Sequence, residues 1–169
     1  MIYIWFGILI TRLISLMISI RNEKNLKKNG GIEYDKINTR NLTIAHIAFY
    51  LGLLIEFNIR QAQWDSISTI GSLIYLFSII ALIFVIISLG KFWTIKLIIA
   101  TDHLVVDNWF FKKFKHPNYY LNVLPELLGL TLIFHAYFTF LFIMPFYFLF
   151  LYKRIRQEEI IMKSKFAGY

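Results

Sequence analysis

Almost uniformly apolar stretches alternate with strongly polar ones along this chain. The first apolar run, residues 2–20, has about the length needed to cross a hydrocarbon core of roughly 30 Å, and it predicts helix one. Residues 42–59 predict a second helix, and residues 67–89, the longest clean run, a third. From Tyr119 to Tyr152 the chain is apolar for more than thirty residues, too long for one crossing, with Pro125, Gly129, His135 and Pro145 as interruptions. This pattern predicts a tight helical hairpin, helix four running to about Phe134 and helix five over 137–151, with a single re-entrant unit over 121–150 as the alternative.

The polar intervals differ in kind. Residues 21–41 are basic and contain the pair Gly30-Gly31, which predicts a turn within a loop. Around Arg60 to Asp65 a short connection carries Trp64 as a headgroup-level aromatic. The segment 90–114 interleaves Phe92, Trp93, Trp109, Phe110 and Phe111 with lysines and with Asp102 and Asp107. Such a mixture cannot span; it predicts an interfacial layer with β-leaning stretches at 95–99 and 103–106. The tail, 153–169, predicts a separate charged helix in which Arg154 and Glu158 share a face and Glu159 is turned by about 100°. The fold class is therefore all-α and membrane-integral, with about five transmembrane helices, a cytoplasmic interfacial segment and a C-terminal helix, all in one domain.

Composition agrees with the pattern: 58% of the 169 residues are hydrophobic and the mean hydropathy is +0.61. The net charge of +8 would suit nucleic acid if it were spread over a soluble surface. Instead six of the eighteen Lys and Arg residues lie in 21–41, five in 91–115 and five in 153–165. Alternate loops of a polytopic protein carry charge in this way, so the basic balance implies a cytoplasmic face and anionic headgroups, with no nucleic acid. No basic region or small-residue cleavage pattern marks the first helix as a removable signal. Arg12, in the middle of that helix, needs a partner or a wet cavity, with Glu56 and Glu126 as candidates and snorkelling as the alternative. His46 reads as a residue hydrogen-bonded to a neighbouring helix, a ligand contact being the rival.

Several chemistries drop out. There is no cysteine, and His46, His103, His116 and His135 lie too far apart in sequence for a metal-ligand spacing. No Gly-x-Ser-x-Gly elbow and no phosphate-cradling glycine loop is present. What remains is Lys115-His116-Pro117-Asn118-Tyr119-Tyr120, a proline-stiffened polar turn opening directly into an apolar run. Pro117 pushes His116 out of helical conformation and starts the helix behind it, which brings imidazole, amide and phenol to its mouth.

Leu89-Gly90 with Trp93-Thr94, then His103 to Val106, then Lys115-His116-Pro117-Asn118-Tyr119 with Glu126, then Arg154-Ile155-x-x-Glu158-Glu159 together resemble the isoprenylcysteine carboxyl methyltransferase family. The strong motifs cover about the carboxyl-terminal half, 89–169; the front half resembles the family's bacterial branch, some members of which methylate long-chain alkylpyrones. The resemblance implies an S-adenosyl-L-methionine-dependent methyltransferase of a bacterial cell membrane, with its active site facing the cytoplasm. Its acceptor would be a lipidic or prenylated molecule offering a carboxylate or acidic hydroxyl oxygen. His103, Leu104, Val105, Val106, Phe111, His116, Pro117, Asn118, Tyr119 and Glu158 would line the cofactor pocket. Arg154 would grip the acceptor's anionic oxygen, with His116 as a base or as a structural residue of the turn. A phospholipid-type amine methyltransferase, a sterol-type membrane reductase and a non-catalytic lipid-binding protein are the competing readings.

Overall fold

The computed structural model describes residues 2–99 and 115–165. Its helices are α1 (Ile2–Lys28), α2 (Lys36–Arg60), α3 (Ser66–Leu89), a π-helix (Asn118–Val123) running straight into α4 (Leu124–Phe134), and α5 (Tyr137–Lys165). A 3₁₀ turn (Gly90–Phe92) follows α3. Four of these helices, all but the π/α4 unit, are long and apolar enough to cross a membrane. The fifth is shorter, yet it runs the depth of the bundle: Tyr119, at its start, lies beside Arg154 near the end of α5. Its far end, at His135, meets Ser68 at the start of α3. The chain is an all-α integral membrane protein, and large apolar side chains such as Ile87, Leu73 and Phe142 face outward, 74%, 63% and 68% exposed.

The expected spans are found, with longer ends. α1 continues through Lys28 instead of stopping near residue 20, because Glu23 and Lys27 pair one turn apart at 2.6 Å and Leu26 is buried with Ile98 against Phe92. α2 begins at Lys36, six residues earlier than the hydropathy suggests. Asp35 turns the chain there at a φ of 54°, and Asn38 anchors the first turn by donating to the Phe150 carbonyl at 3.0 Å. The separate tail helix is not formed. α5 is a single helix of 29 residues, about 43 Å long at 1.5 Å per residue, so it outruns a 30 Å hydrocarbon core. Its last turns stay helical because Ile161 and Met162 bury against Leu97 and Ile99.

Those two residues belong to a small antiparallel ribbon. β1 (Ile32–Tyr34) pairs with β2 (Leu97–Ile99) in the register Ile32↔Ile99, Glu33↔Ile98, Tyr34↔Leu97. The expected strand at 95–99 is thus present at its last three positions, while its partner lies just past the Gly30-Gly31 turn, where only a loop was expected. The stretch 103–106 lies outside the described residues.

Packing inside the bundle is closest between α3 and α4. A Cβ on Gly71 would come within 2.7 Å of the Gly129 carbonyl oxygen, and one on Gly129 within 2.8 Å of the Gly71 carbonyl. Lipid tails are as apolar as leucine, so helices in a bilayer associate through close backbone approach of this kind more than through a hydrophobic drive. The core proper lies between α2, α4 and α5, where Phe49, Leu53, Leu127 and Leu130 are wholly buried. α1 adds Trp5 and Ile8 to this core and is further held by polar stitches. Thr11 meets the Tyr75 hydroxyl at 3.0 Å, Ser19 accepts from the Ile95 N–H at 2.9 Å, and Asn22 donates to the carbonyls of Gly90 and Trp93.

Candidate active site

Pro117 does what its residue type dictates: it takes a φ of −63° and opens the π-helix, while the His116 carbonyl ahead of it accepts from the N–H groups of Tyr119 and Tyr120. In the π-helix the Leu124 N–H reaches back five residues to the Tyr119 carbonyl. Single π turns of this sort are frequent where a helix has to present side chains at a functional site. Here Tyr119 is presented to the end of α5.

The Tyr119 hydroxyl is the hinge of the cluster. It donates to Glu158 Oε2 at 2.8 Å and accepts from Arg154 Nε at 3.2 Å, so the expected Arg154/Glu158 face is joined through a phenol. Arg154 is 3% exposed. Its Nη1 donates to Thr39 Oγ1 of α2 at 2.7 Å and its Nη2 to the Ile95 carbonyl at 3.0 Å. One guanidinium thereby fastens α2, the start of the ribbon segment, the π-helix and α5 together. A guanidinium has five N–H groups, and three are engaged in this way.

His116 stacks on Tyr119 with ring centroids 5.9 Å apart and planes 20° from parallel. It is 5% exposed and lies between the two carboxylates of the tail: Nδ1 is 3.6 Å from Glu158 Oε1 and Nε2 3.5 Å from Glu159 Oε1. Both separations exceed a hydrogen bond, so the attraction acts through charge and both buried ring nitrogens lack a hydrogen-bond partner among the described residues. Burial disfavours the charged ring, but the two glutamates outweigh it and raise the imidazole above its ordinary pKa of 6.5. The glutamate side chains are partly open, 24% for Glu158 and 31% for Glu159.

Of the residues expected from sequence, the structure brings His116, Tyr119, Arg154 and Glu158 together, with Pro117 forming the turn. Asn118 is directed elsewhere, its Oδ1 accepting from Asn122 at 3.0 Å. His103, Leu104, Val105, Val106 and Phe111 lie outside the described residues. Sequence reasoning missed Thr39, an ordinary helix residue without a motif, and gave Glu159 no partner.

A second polar layer lies deeper. Thr39, Tyr119 and Arg154 form the first; seven residues further into the bundle along each of their helices stand His46, Glu126 and Tyr147. Seven residues are two turns, about 10 Å. Glu126 is wholly buried, ion-pairs with Arg12 and accepts from the Tyr50 hydroxyl at 2.5 Å. His46 Nδ1 meets the Tyr147 hydroxyl at 3.3 Å, so it is bonded to a neighbouring helix as expected. Arg12 Nη2 donates to Asn122 at 3.1 Å, and Asn122 in turn donates to Asn118. Of the two acids weighed as partners of Arg12, Glu56 serves another end: it accepts from the N–H groups of Phe138 (3.1 Å) and Thr139 (2.7 Å) and caps α5.

An integral membrane helical bundle with a buried polar cluster at its basic end is the class that fold and site define. The profile of the isoprenylcysteine carboxyl methyltransferase (ICMT) family matches residues 70–164, more than half of the chain, and the chain belongs to that family of membrane methyltransferases. It is similar to an uncharacterized protein of Haemophilus influenzae, 45% identical over 94% of this chain and 92% of the relative. The uncharacterized protein YpbQ of Bacillus subtilis is 30% identical over 90% of each chain. No solved structure matches.

Proposed function

We propose that the protein transfers a methyl group from S-adenosyl-L-methionine to a carboxylate or acidic hydroxyl oxygen of a lipidic acceptor, at the cytoplasmic face of a bacterial membrane. The observation that carries this reading is the cluster His116, Tyr119, Arg154, Glu158 and Glu159, gathered where the Pro117 turn meets the end of α5. The donor set suits the cofactor. The two partly open carboxylates would accept from an ammonium or ribose hydroxyls, and the two ring nitrogens of buried His116, without a hydrogen-bond partner among the described residues, would offer further polar contacts. When bound, S-adenosyl-L-methionine supplies an electrophilic methyl carbon on a sulfonium.

Glu158, Glu159, His116 and Tyr119 would hold the cofactor, and His103 to Val106 with Phe111 would complete the pocket. Arg154 retains two N–H groups for an acceptor oxygen, and in a water-poor site such a charge-assisted contact is strong. A carboxylate or acidic enol is already an anion, so orientation and exclusion of water do the catalytic work and no strong base is needed. An amine acceptor would bring a second cation against Arg154, which disfavours the phospholipid-type reading.

The test is calorimetric titration of the detergent-purified chain with S-adenosyl-L-methionine and S-adenosylhomocysteine, followed by transfer of labelled methyl into a bacterial lipid extract. Binding is expected in the wild type and a loss of at least tenfold in Glu158→Gln, with Lys163→Gln unchanged. A folded wild type that binds neither compound, with or without added lipid, overturns the reading.

A further inference from the structure

The cytoplasm-ward half of α1 presents an open surface patch that the methyltransferase site does not use. It lies on one side of the helix: Met17, Ile20 or Arg21, Lys24 and Lys28 follow one another at three- and four-residue steps, with Asn25 and Lys27 at the edges. The patch changes from apolar to basic between Ile20 and Arg21, the level at which the apolar run of α1 ends. Met17 is 69% and Ile20 41% exposed, so the apolar end lies open to acyl chains.

Among the described residues Glu23 and Glu33 are the nearby carboxylates, and two ammonium groups already occupy them. Lys27 lies 2.6 Å from Glu23 and 2.5 Å from Glu33, and Lys96 2.6 Å from Glu23 and 3.8 Å from Glu33. Arg21, Lys24 and Lys28 are exposed and have no ion pair among the described residues. Three cations without an ion pair among the described residues thus stand directly beside exposed apolar side chains of the same helix.

We propose that this face of α1 is a binding site for an anionic diacyl phospholipid of the adjoining leaflet, with its phosphate among Arg21, Lys24 and Lys28 and an acyl chain along Ile20 and Met17. A zwitterionic lipid would add an amine to a place that already holds three cations, so the net-negative headgroup is the one that fits. A basic residue at an anionic membrane surface contributes about fivefold in partition, so loss of three charges should remove nearly all discrimination.

The test is native mass spectrometry of the detergent-purified full chain, titrated with an equimolar mixture of phosphatidylglycerol and phosphatidylcholine of identical acyl chains. The first bound lipid should be phosphatidylglycerol by more than tenfold. In Arg21→Gln/Lys24→Gln/Lys28→Gln the ratio should fall to near one, while Lys153→Gln/Lys163→Gln, which removes as exposed a pair of charges at the same basic end, should leave it. Circular dichroism and a monodisperse elution profile establish that each variant is folded. Equal binding of the two lipids by the wild type, retained preference in the triple variant, or equal loss in the α5 variant would overturn the assignment. Displacement of the lipid by millimolar glycerol phosphate would also overturn it, leaving a phosphate site in place of a lipid site. The experiment requires no methyl donor, so its result is independent of the activity proposed above.

Discussion

His116 concentrates the site's electrostatics in one ring. Its charge is favoured by Glu158 and Glu159 at 3.6 and 3.5 Å, and its pKa is raised above 6.5 despite burial. A group whose pKa is higher in the folded than in the unfolded chain adds stability that is complete below the unfolded value and is lost as pH rises through the folded value. The melting temperature of the wild type should therefore fall relative to that of His116→Gln as pH rises from about 6 into the alkaline range, over the span set by the raised pKa. Parallel melting curves across that span would show that the glutamates do not act on the ring. The His-Pro-Asn-Tyr turn was legible in the sequence because proline restricts both itself and its predecessor. The partners of Arg154 were not: a threonine on α2 and a backbone carbonyl carry no signature until the helices are docked. Glu126 and Arg12 were half legible, since a charge inside an apolar run demands a partner, but the choice between Glu56 and Glu126 rests on depth in the bundle.

Among the elements, the spans could be read from hydropathy alone and their ends could not. Amphipathic ends such as the last two turns of α1 and α5 look like loops by hydropathy. They stay helical because Leu26 and the pair Ile161 and Met162 find cover on the ribbon segment. Of the ribbon, β2 was legible as the β-leaning stretch 95–99, while β1, three residues within a polar loop, is too short for alternation to register. The Gly71/Gly129 crossing is equally silent in sequence, because each glycine is ordinary until the other lies against it. It supports a sharp expectation. In Gly71→Leu the new Cβ would meet the Gly129 carbonyl, the Leu132 Cβ and the Ile133 N–H nitrogen, all within 2.8 Å. Two backbone atoms cannot rotate away, so α3 and α4 must part. Overpacking of this kind costs about 1–3 kcal/mol. A lower melting temperature in detergent for Gly71→Leu, but not for Gly7→Leu, where nothing lies within 4 Å of a Cβ, is the expected outcome. Equal melting temperatures would show that the crossing tolerates separation.

At the scale of the whole molecule, the topology sends every basic cluster among the described residues to one end. The last turns of α1, the start of α2, the entry to the π-helix and the last turns of α5 all lie there. The α2–α3 connection at Gln61 to Asp65 and the His135 turn occupy the other end, tied by Asp65 Oδ1 at 3.3 Å from His135 Nε2. The same charge asymmetry that predicts orientation thus coincides with the candidate site and with the basic face of α1, so the side on which cofactor would enter is an experimental question with a binary answer. The chain has no cysteine, so single thiols can be introduced without background. Gln63→Cys, exposed at the far end, should react with a membrane-impermeant maleimide in intact bacterial cells, and Lys163→Cys, exposed at the basic end, only after the cells are lysed. The reverse pattern would put the basic end outside, away from any cytosolic methyl donor. It would then remove the cytoplasmic placement on which the proposed reaction depends, while leaving the bundle and its family membership untouched.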